Sequence, residues 1–212
     1  MKRASFSRVG LLALLGGVVA SCAPKAAKEL TSASEAMGQV LAEETVKLAG
    51  PKKQIAIITY DANWGPVSTA EESFKKTLKK RGYAAVAAKS ANLGDPMRSG
   101  DVGLKAADFL EVLHNFPEAG AVVSFAGAPL LKDGDRSSVA AEHPPVLVVA
   151  TAMMGTVPGV TTDRMKLANL VDEKIIQLAI IDGSDARPQK PGKTDATHEM
   201  FSQHYRILQR PD

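Results

Sequence analysis

Five short apolar runs, each separated from the next by a stretch with helical periodicity, constrain the fold of this chain more than any other feature. Gln54 to Tyr60 (QIAIITY) is almost continuously apolar and rich in β-branched residues. That is the signature of a parallel strand covered on both faces. Tyr83 to Ala88 is a weaker run, followed by Gly120 to Phe125, Pro145 to Thr151 and Ile175 to Ile181. Between them, Ser68 or Thr69 caps a helix that carries Glu71 and Glu72 in its first turn and ends in Lys79-Lys80-Arg81-Gly82. Acids at the start, bases at the end and a closing glycine suit the helix dipole and its C-cap. Asp101 to Asn115 repeats apolar residues in steps of three and four, Asp135 to Glu142 reads as a short helix, and Thr162 or Asp163 caps one running to Glu173.

Strands alternating with helices imply right-handed crossovers and an α/β three-layer sandwich around a five-stranded, mainly parallel sheet. The expected strand order is 2-1-3-4-5, so the pattern resembles flavodoxin-like folds. In such sheets ligands bind beyond the carboxyl ends of the strands, near the reversal of strand order. That rule selects Tyr60, Asp61, Asn63 and Trp64 after the first strand and Ser124 to Gly127 after the third. It selects Thr151 and Met153 after the fourth, and Asp182 and Asp185 after the fifth. The candidate ligand set is therefore Asp61, Asn63, Trp64, Ser124, Gly127, Thr151 and Asp182. Trp64 suits two roles, stacking on a sugar or base beside the polar pair, or covering the start of the following helix. Ser124 to Gly127 equally suits a backbone anion cradle or a plain exit from the strand.

Several chemistries of this architecture find no residues here. The loop Asp61-Ala62-Asn63-Trp64-Gly65-Pro66 offers an acid and a proline where a flavin phosphate needs hydroxyls. A receiver domain needs an Asp ending the third strand and a Lys ending the fifth, whereas Ser124-Phe125-Ala126 and Asp182 stand there. The chain carries no dinucleotide fingerprint, P-loop or nucleophile elbow. His114, His143, His198 and His204 lack the spacing of a helical metal pair. No cofactor, metal or catalytic set is implied; a pairing of Asp61 with Asp182 or Asp185 is the one carboxylate arrangement the topology permits.

The first 22 residues carry a different message. Lys2, Arg3 and Arg8 precede the apolar run Val9 to Ala20, which is shorter than the ~18 residues a membrane span needs but fits a signal-peptide core. Val19-Ala20-Ser21-Cys22 follows and resembles the lipobox of bacterial lipoproteins. The resemblance implies cleavage before Cys22, acylation of its thiol and a lipid anchor in the cell envelope. Cys22 is the only cysteine, so a chain starting there has no free thiol for a disulfide or for thiol catalysis. In enterobacterial lipoproteins an Asp after the Cys retains the protein on the inner membrane. Ala23 stands at that position, which implies the outer membrane in a Gram-negative cell.

The expected organisation is a signal peptide over 1–21, a lipid-anchored tether and helix over 22–51, an α/β domain over 52–183, and an arm with a C-terminal helix over 184–212. Within the tether, Ala23 to Ser34 reads as a flexible spacer, and Ser34 to Ala49 as a helix stopped by Gly50-Pro51 that packs on the domain. Thr197 to Gln209 places Phe201, Tyr205 and Leu208 on one helical side, after a linker rich in Pro, Lys and Gly.

Lys53-Gln54-Ile55-Ala56-Ile57-Ile58, then Ser73-Phe74-Lys75-Lys76 through Lys80-Arg81-Gly82-Tyr83, resembles the opening of type I periplasmic solute-binding proteins. Ala119 to Pro129 and Pro144 to Thr151 look like their third and fourth strands. The resemblance runs from Lys52 to Asp182 and covers one lobe. Those proteins close two lobes over a solute, and the residues after Asp182 are too few to build a second. The resemblance therefore implies a single solute-binding lobe, alone or as a homodimer.

The formal charge of +3 invites a nucleic-acid reading that the sequence then withdraws. Lys2, Arg3 and Arg8 account for all of the excess, so a chain beginning at Cys22 carries as many bases as acids. No nucleic-acid partner is expected. Three readings remain: an anchored module for a small-molecule ligand, an envelope structural or assembly lipoprotein contacting other proteins, and an enzyme with an unrecognised site. The third has no visible nucleophile–base set behind it.

Overall fold

The structure is a computed structural model that describes residues 23–60, 65–92, 103–139, 141–151, 163–183 and 195–210. The apolar runs form strands where expected. They are β1 (Gln54–Tyr60), β2 (Ala84–Ala91), β4 (Ala121–Ser124), β6 (Val146–Ala150) and β7 (Leu178–Asp182). Two short strands, β3 (Leu104–Lys105) and β5 (Pro129–Leu130), pair in parallel beside the main sheet. A last strand, β8 (Tyr205–Gln209), completes a six-stranded sheet of order β2-β1-β4-β6-β7-β8. The first five are parallel and reproduce the expected 2-1-3-4-5 order. The continuous runs are continuous because both faces are covered: every residue of β4 and β6 is buried.

Helices α2 (Gly65–Lys80), α3 (Ala106–Asn115), α4 (Asp133–Arg136) and α5 (Arg164–Asp172) connect the strands. The path β1 to β2 runs one way across the sheet and β2 through β4 and β6 to β7 runs back. Right-handed crossovers therefore put α2 on one face and α3 and α5 on the other. Phe74 of α2 meets Phe125 edge to face, ring centres 5.5 Å apart. Asp163 caps α5 as expected, accepting from the Met165 and Lys166 amides. Helix α3 starts later than the expected Asp101, because Leu104 and Lys105 are taken into β3. Helix α4 starts earlier than the expected Asp135 and ends at Arg136.

Two terminal elements differ from the sequence reading. Helix α1 spans Ala23–Ala49, so the residues expected to form a flexible spacer are helical. Pro24 falls in the first turn, where its missing N–H costs nothing, and the segment is otherwise rich in Ala, Lys and Glu. The hydroxyls that suggested a loop are satisfied within the helix: Thr31 donates to the Ala27 carbonyl and Ser34 to that of Leu30. From Ala33 onward α1 is part of the core, burying Ala33, Met37, Val40 and Leu41 against α2 and the sheet.

At the other terminus, the expected single helix over Thr197 to Gln209 is a helix, α6 (Ala196–His204), followed by strand β8. Strand β8 runs antiparallel to β7, from Tyr205 opposite Asp182 to Gln209 opposite Leu178. Tyr205 and Ile207 also fit a strand's alternation. The unpaired edge of β7 decides between the two patterns, since pairing satisfies a row of backbone groups that a longer helix would leave open. Helix α6 packs on α1, where Thr197 bonds Gln39 at 3.2 Å and His198 Nε2 lies 3.2 Å from Glu43.

Candidate functional site

Parallel register places β1, β4, β6 and β7 with their carboxyl ends along one edge, the edge selected by the sequence. The depth of each residue there follows from the pairing. Ser124 is opposite Val148, three residues short of Thr151, which is about 10 Å along the strand. Ser124 is consequently buried. Its hydroxyl donates to the Gly127 carbonyl at 2.7 Å, closing the turn that Gly127 allows by its φ of 83°. The Phe125 amide donates to the Ile58 carbonyl at 2.9 Å, so the chain stays in the sheet one residue beyond Ser124. Phe125, Ala126 and Gly127 are buried too.

The β6–β7 side of the edge holds the other described candidates. Ala150 pairs with Ile181, and continuing that register by one residue sets Thr151 beside Asp182. Thr151 is buried and Asp182 half-buried. Arg164, the first residue of α5, donates from Nη2 to the Asp182 carbonyl at 3.1 Å. On the far side of Asp182 stands Tyr205, almost wholly buried, with the Ser34 hydroxyl of α1 as a hydrogen-bond partner. Thr151, Asp182, Arg164, Tyr205 and Ser34 thus form a polar girdle where β6, β7, β8 and α1 meet. Asp61, Asn63 and Trp64 lie outside the described residues, as do Met153 and Asp185.

Burial pushes the Tyr205 phenol up to about 12; the Asp182 carboxylate adds to the rise and the Ser34 contact opposes it. Tyr205 therefore keeps its proton at neutral pH and acts as a hydrogen-bond donor. The phenol of the unfolded chain ionises near 10 while the folded one holds on until about 12. This contribution to stability is present below pH 10 and is lost as pH rises towards 12. Tyr205→Phe is expected to lose roughly 1 kcal/mol at neutral pH with the Ser34 hydrogen bond. Its deficit against the unaltered chain should shrink in urea melts near pH 11.5. Parallel pH curves for the two chains would show a phenol that titrates freely.

Of the three girdle residues that the strand-end rule did not select, one carried a readable signal. Arg164 follows the capping Asp163, and the first turn of a helix after a parallel strand lies at the carboxyl edge by topology alone. Tyr205 and Ser34 carried none, since both depend on the C-terminal strand and on α1 meeting beside β7. Chemically the girdle suits hydrogen bonding of a hydroxylated solute, with a guanidinium at hand for partial negative charge. The Ser124 hydroxyl faces a carbonyl rather than a base. Among the described residues no group of three or more His, Cys, Asp or Glu is placed to hold a metal ion. None of the described helices is long and apolar enough to cross a membrane.

No protein-family model and no curated protein matches this chain. Solved structures do match it in fold. AraP, an arabinose-binding protein from Geobacillus stearothermophilus, is 14% identical with a TM-score of 0.50, over 84% of this chain and 61% of that one. A sugar-binding protein of a sugar ABC transporter from Bacillus halodurans is 19% identical with a TM-score of 0.50, over 71% and 46% of the two chains. The XylFII–LytSN complex is 13% identical with a TM-score of 0.51, over 83% and 59%. The chain thus spans roughly half to three-fifths of the proteins it resembles, and it has the α/β fold of one lobe of a type I periplasmic binding protein.

Proposed function

We propose that this protein is an extracytoplasmic, membrane-anchored, non-catalytic module that binds a small hydroxylated solute at the carboxyl edge of its sheet. Asp182 and Thr151 form its described part, with Ser124 and Gly127 shaping the floor and Asp61, Asn63 and Trp64 contributed by the loop after β1. The lipid anchor is on Cys22, which sets the protein in the bacterial cell envelope, on the outer membrane in a Gram-negative cell. The observation that carries the reading is the register that sets Thr151 beside Asp182 and Arg164, in a fold shared with proteins named for binding arabinose and other sugars. A monosaccharide or polyol is accordingly the ligand class.

A solute that binds only the folded chain raises its melting temperature. At a concentration of about 100 times Kd the gain is ~2.7 kcal/mol, or roughly 5–10 °C for a chain of this size. Thermal melts of the chain from Cys22 onward against pentoses, hexoses and polyols should find such a shift, and Asp182→Ala should remove it. A flat response to every compound would contradict solute binding.

A second reading, a scaffold for protein contacts in the envelope, is favoured by one observation. Met165 on α5 is 72% exposed, and its neighbour Lys166 lines, with Leu130, Leu131, Lys132 and Leu170, a pocket of about 290 Å³. Under that reading Met165→Asp weakens a protein partnership and leaves every thermal shift unchanged.

A further inference from the structure

We propose that the carboxyl edge of the sheet, with its candidate ligand residues, faces the lipid bilayer at short range. The inference rests on the reading of Cys22 as the lipidated residue and adds to it an orientation that an anchor alone does not supply.

Three observations set the geometry. First, α1 runs antiparallel to β1. Its last residue, Ala49, lies at the amino edge of the sheet, where a Cβ on Gly120 would come within 2.9 Å of the Ala49 side chain. Second, the other end of α1 reaches the opposite edge. Glu29 Oε1 is 3.9 Å from His204 Nε2, and the His204 carbonyl accepts from the Gly183 amide, one residue past the end of β7. Ser34, the partner of Tyr205, is level with Asp182 through the Asp182–Tyr205 pair. Third, Ala23, the residue next to Cys22 in the chain, is already helical, so no spacer intervenes between Cys22 and the helix.

An acyl group on Cys22 is thereby coupled to the domain through a continuous helix whose lower part is core. The six helical steps from Ala23 to Glu29 rise about 9 Å. The bilayer surface then lies of order 10 Å beyond the carboxyl edge, the edge that carries buried Thr151 and half-buried Asp182. A lipoprotein on a Gly/Ser-rich spacer would tumble and present every face in turn. This one presents a single edge. A solute bound there is held in the layer next to the headgroups rather than offered to the bulk compartment.

The test uses the lipidated full-length protein in vesicles of phosphatidylethanolamine and phosphatidylglycerol with a headgroup-linked acceptor dye. Acylation occupies the Cys22 thiol, so an introduced cysteine takes the donor dye alone. Ser90→Cys puts the donor at an exposed position near the carboxyl end of β2. Glu118→Cys puts it at the amino edge, where Glu118 is 86% exposed. The seven residues of β1 separate the two edges by about 23 Å. Energy transfer is expected to be several-fold stronger from position 90 than from position 118. A Gly/Ser spacer of about ten residues between Cys22 and Ala23 should keep the protein on the vesicles and abolish the difference.

Equal transfer from the two positions, or stronger transfer from position 118, in membrane-bound protein overturns the orientation and leaves the anchor standing. A Cys22→Ala chain that still pellets with membranes, or an unaltered chain that does not, overturns the anchor and the orientation with it.

Discussion

A chain ended at His204 is expected to lose its folded monomeric state. The truncation removes β8, which pairs with all five residues of β7. Tyr205 is 1% exposed and packs at 5.6 Å on Phe201 of α6. Loss of a buried aromatic side chain by itself costs about 3–5 kcal/mol. That is a large fraction of the ~5–15 kcal/mol that separates a typical domain from its unfolded state. The truncation also bares Leu178-Ala179-Ile180-Ile181, an apolar, β-branched edge of the kind that pairs with other chains. The expected result is aggregation in gel filtration and a melting transition that is lowered by well over 10 °C or lost. Tyr205→Ala should give a milder, measurable drop in the same direction. A truncated chain that elutes as a monomer with its melting temperature intact would contradict the assignment of β8.

Gly38→Val should be almost as damaging, although it introduces a better helix former into a helix. A Cβ at position 38 would lie 2.2 Å from the Ala70 carbonyl oxygen and 2.9 Å from the Phe74 amide nitrogen. Both obstacles are backbone of α2 and cannot swing aside as a side chain would. The two helices are also tied at this level, the Ser73 hydroxyl donating to the Glu35 carbonyl at 2.8 Å. Valine forces α1 and α2 apart and opens the core around Met37, Leu41 and Phe74. The expected cost is about 3 kcal/mol, a fall of roughly 6–12 °C, against a helix-propensity gain below ~1 kcal/mol. Gly134→Ala is the control, since a Cβ there meets nothing within 4 Å. If Gly38→Val melts like Gly134→Ala, α1 does not pack on α2 at this spacing.

These two positions mark where the sequence stopped being legible. Strands β1 and β6 could be read because burial on both faces leaves an unbroken apolar run, and the strand order followed from crossover handedness. Residues 23–34 could not. Small polar residues look alike in a spacer and in a helix, and here they extend a helix that is buried from Ala33 onward and packs on α2, far away in sequence. The segment after Thr197 satisfies two periods at once, and only the open edge of β7 selects the strand for its second half.

The candidate site was legible as an edge but not in depth. The topological rule names Ser124 and Thr151 alike. The pairing of Ser124 with Val148 sets Ser124 deep and leaves Asp182 as the residue nearer solvent. Tyr205 joined the site through β8, whose position depends on the open edge of β7.

Binding of a small solute at the carboxyl edge is open to test by amide chemical shifts during a sugar titration. The chain from Cys22 onward, labelled with nitrogen-15 and titrated with the pentose or hexose of largest thermal shift, should show saturable changes confined to the Ser124–Gly127 turn, Thr151, Asp182 and Arg164. Unchanged spectra, or changes gathered at the amino edge around Gly50, Gly120 and Glu118, would contradict it.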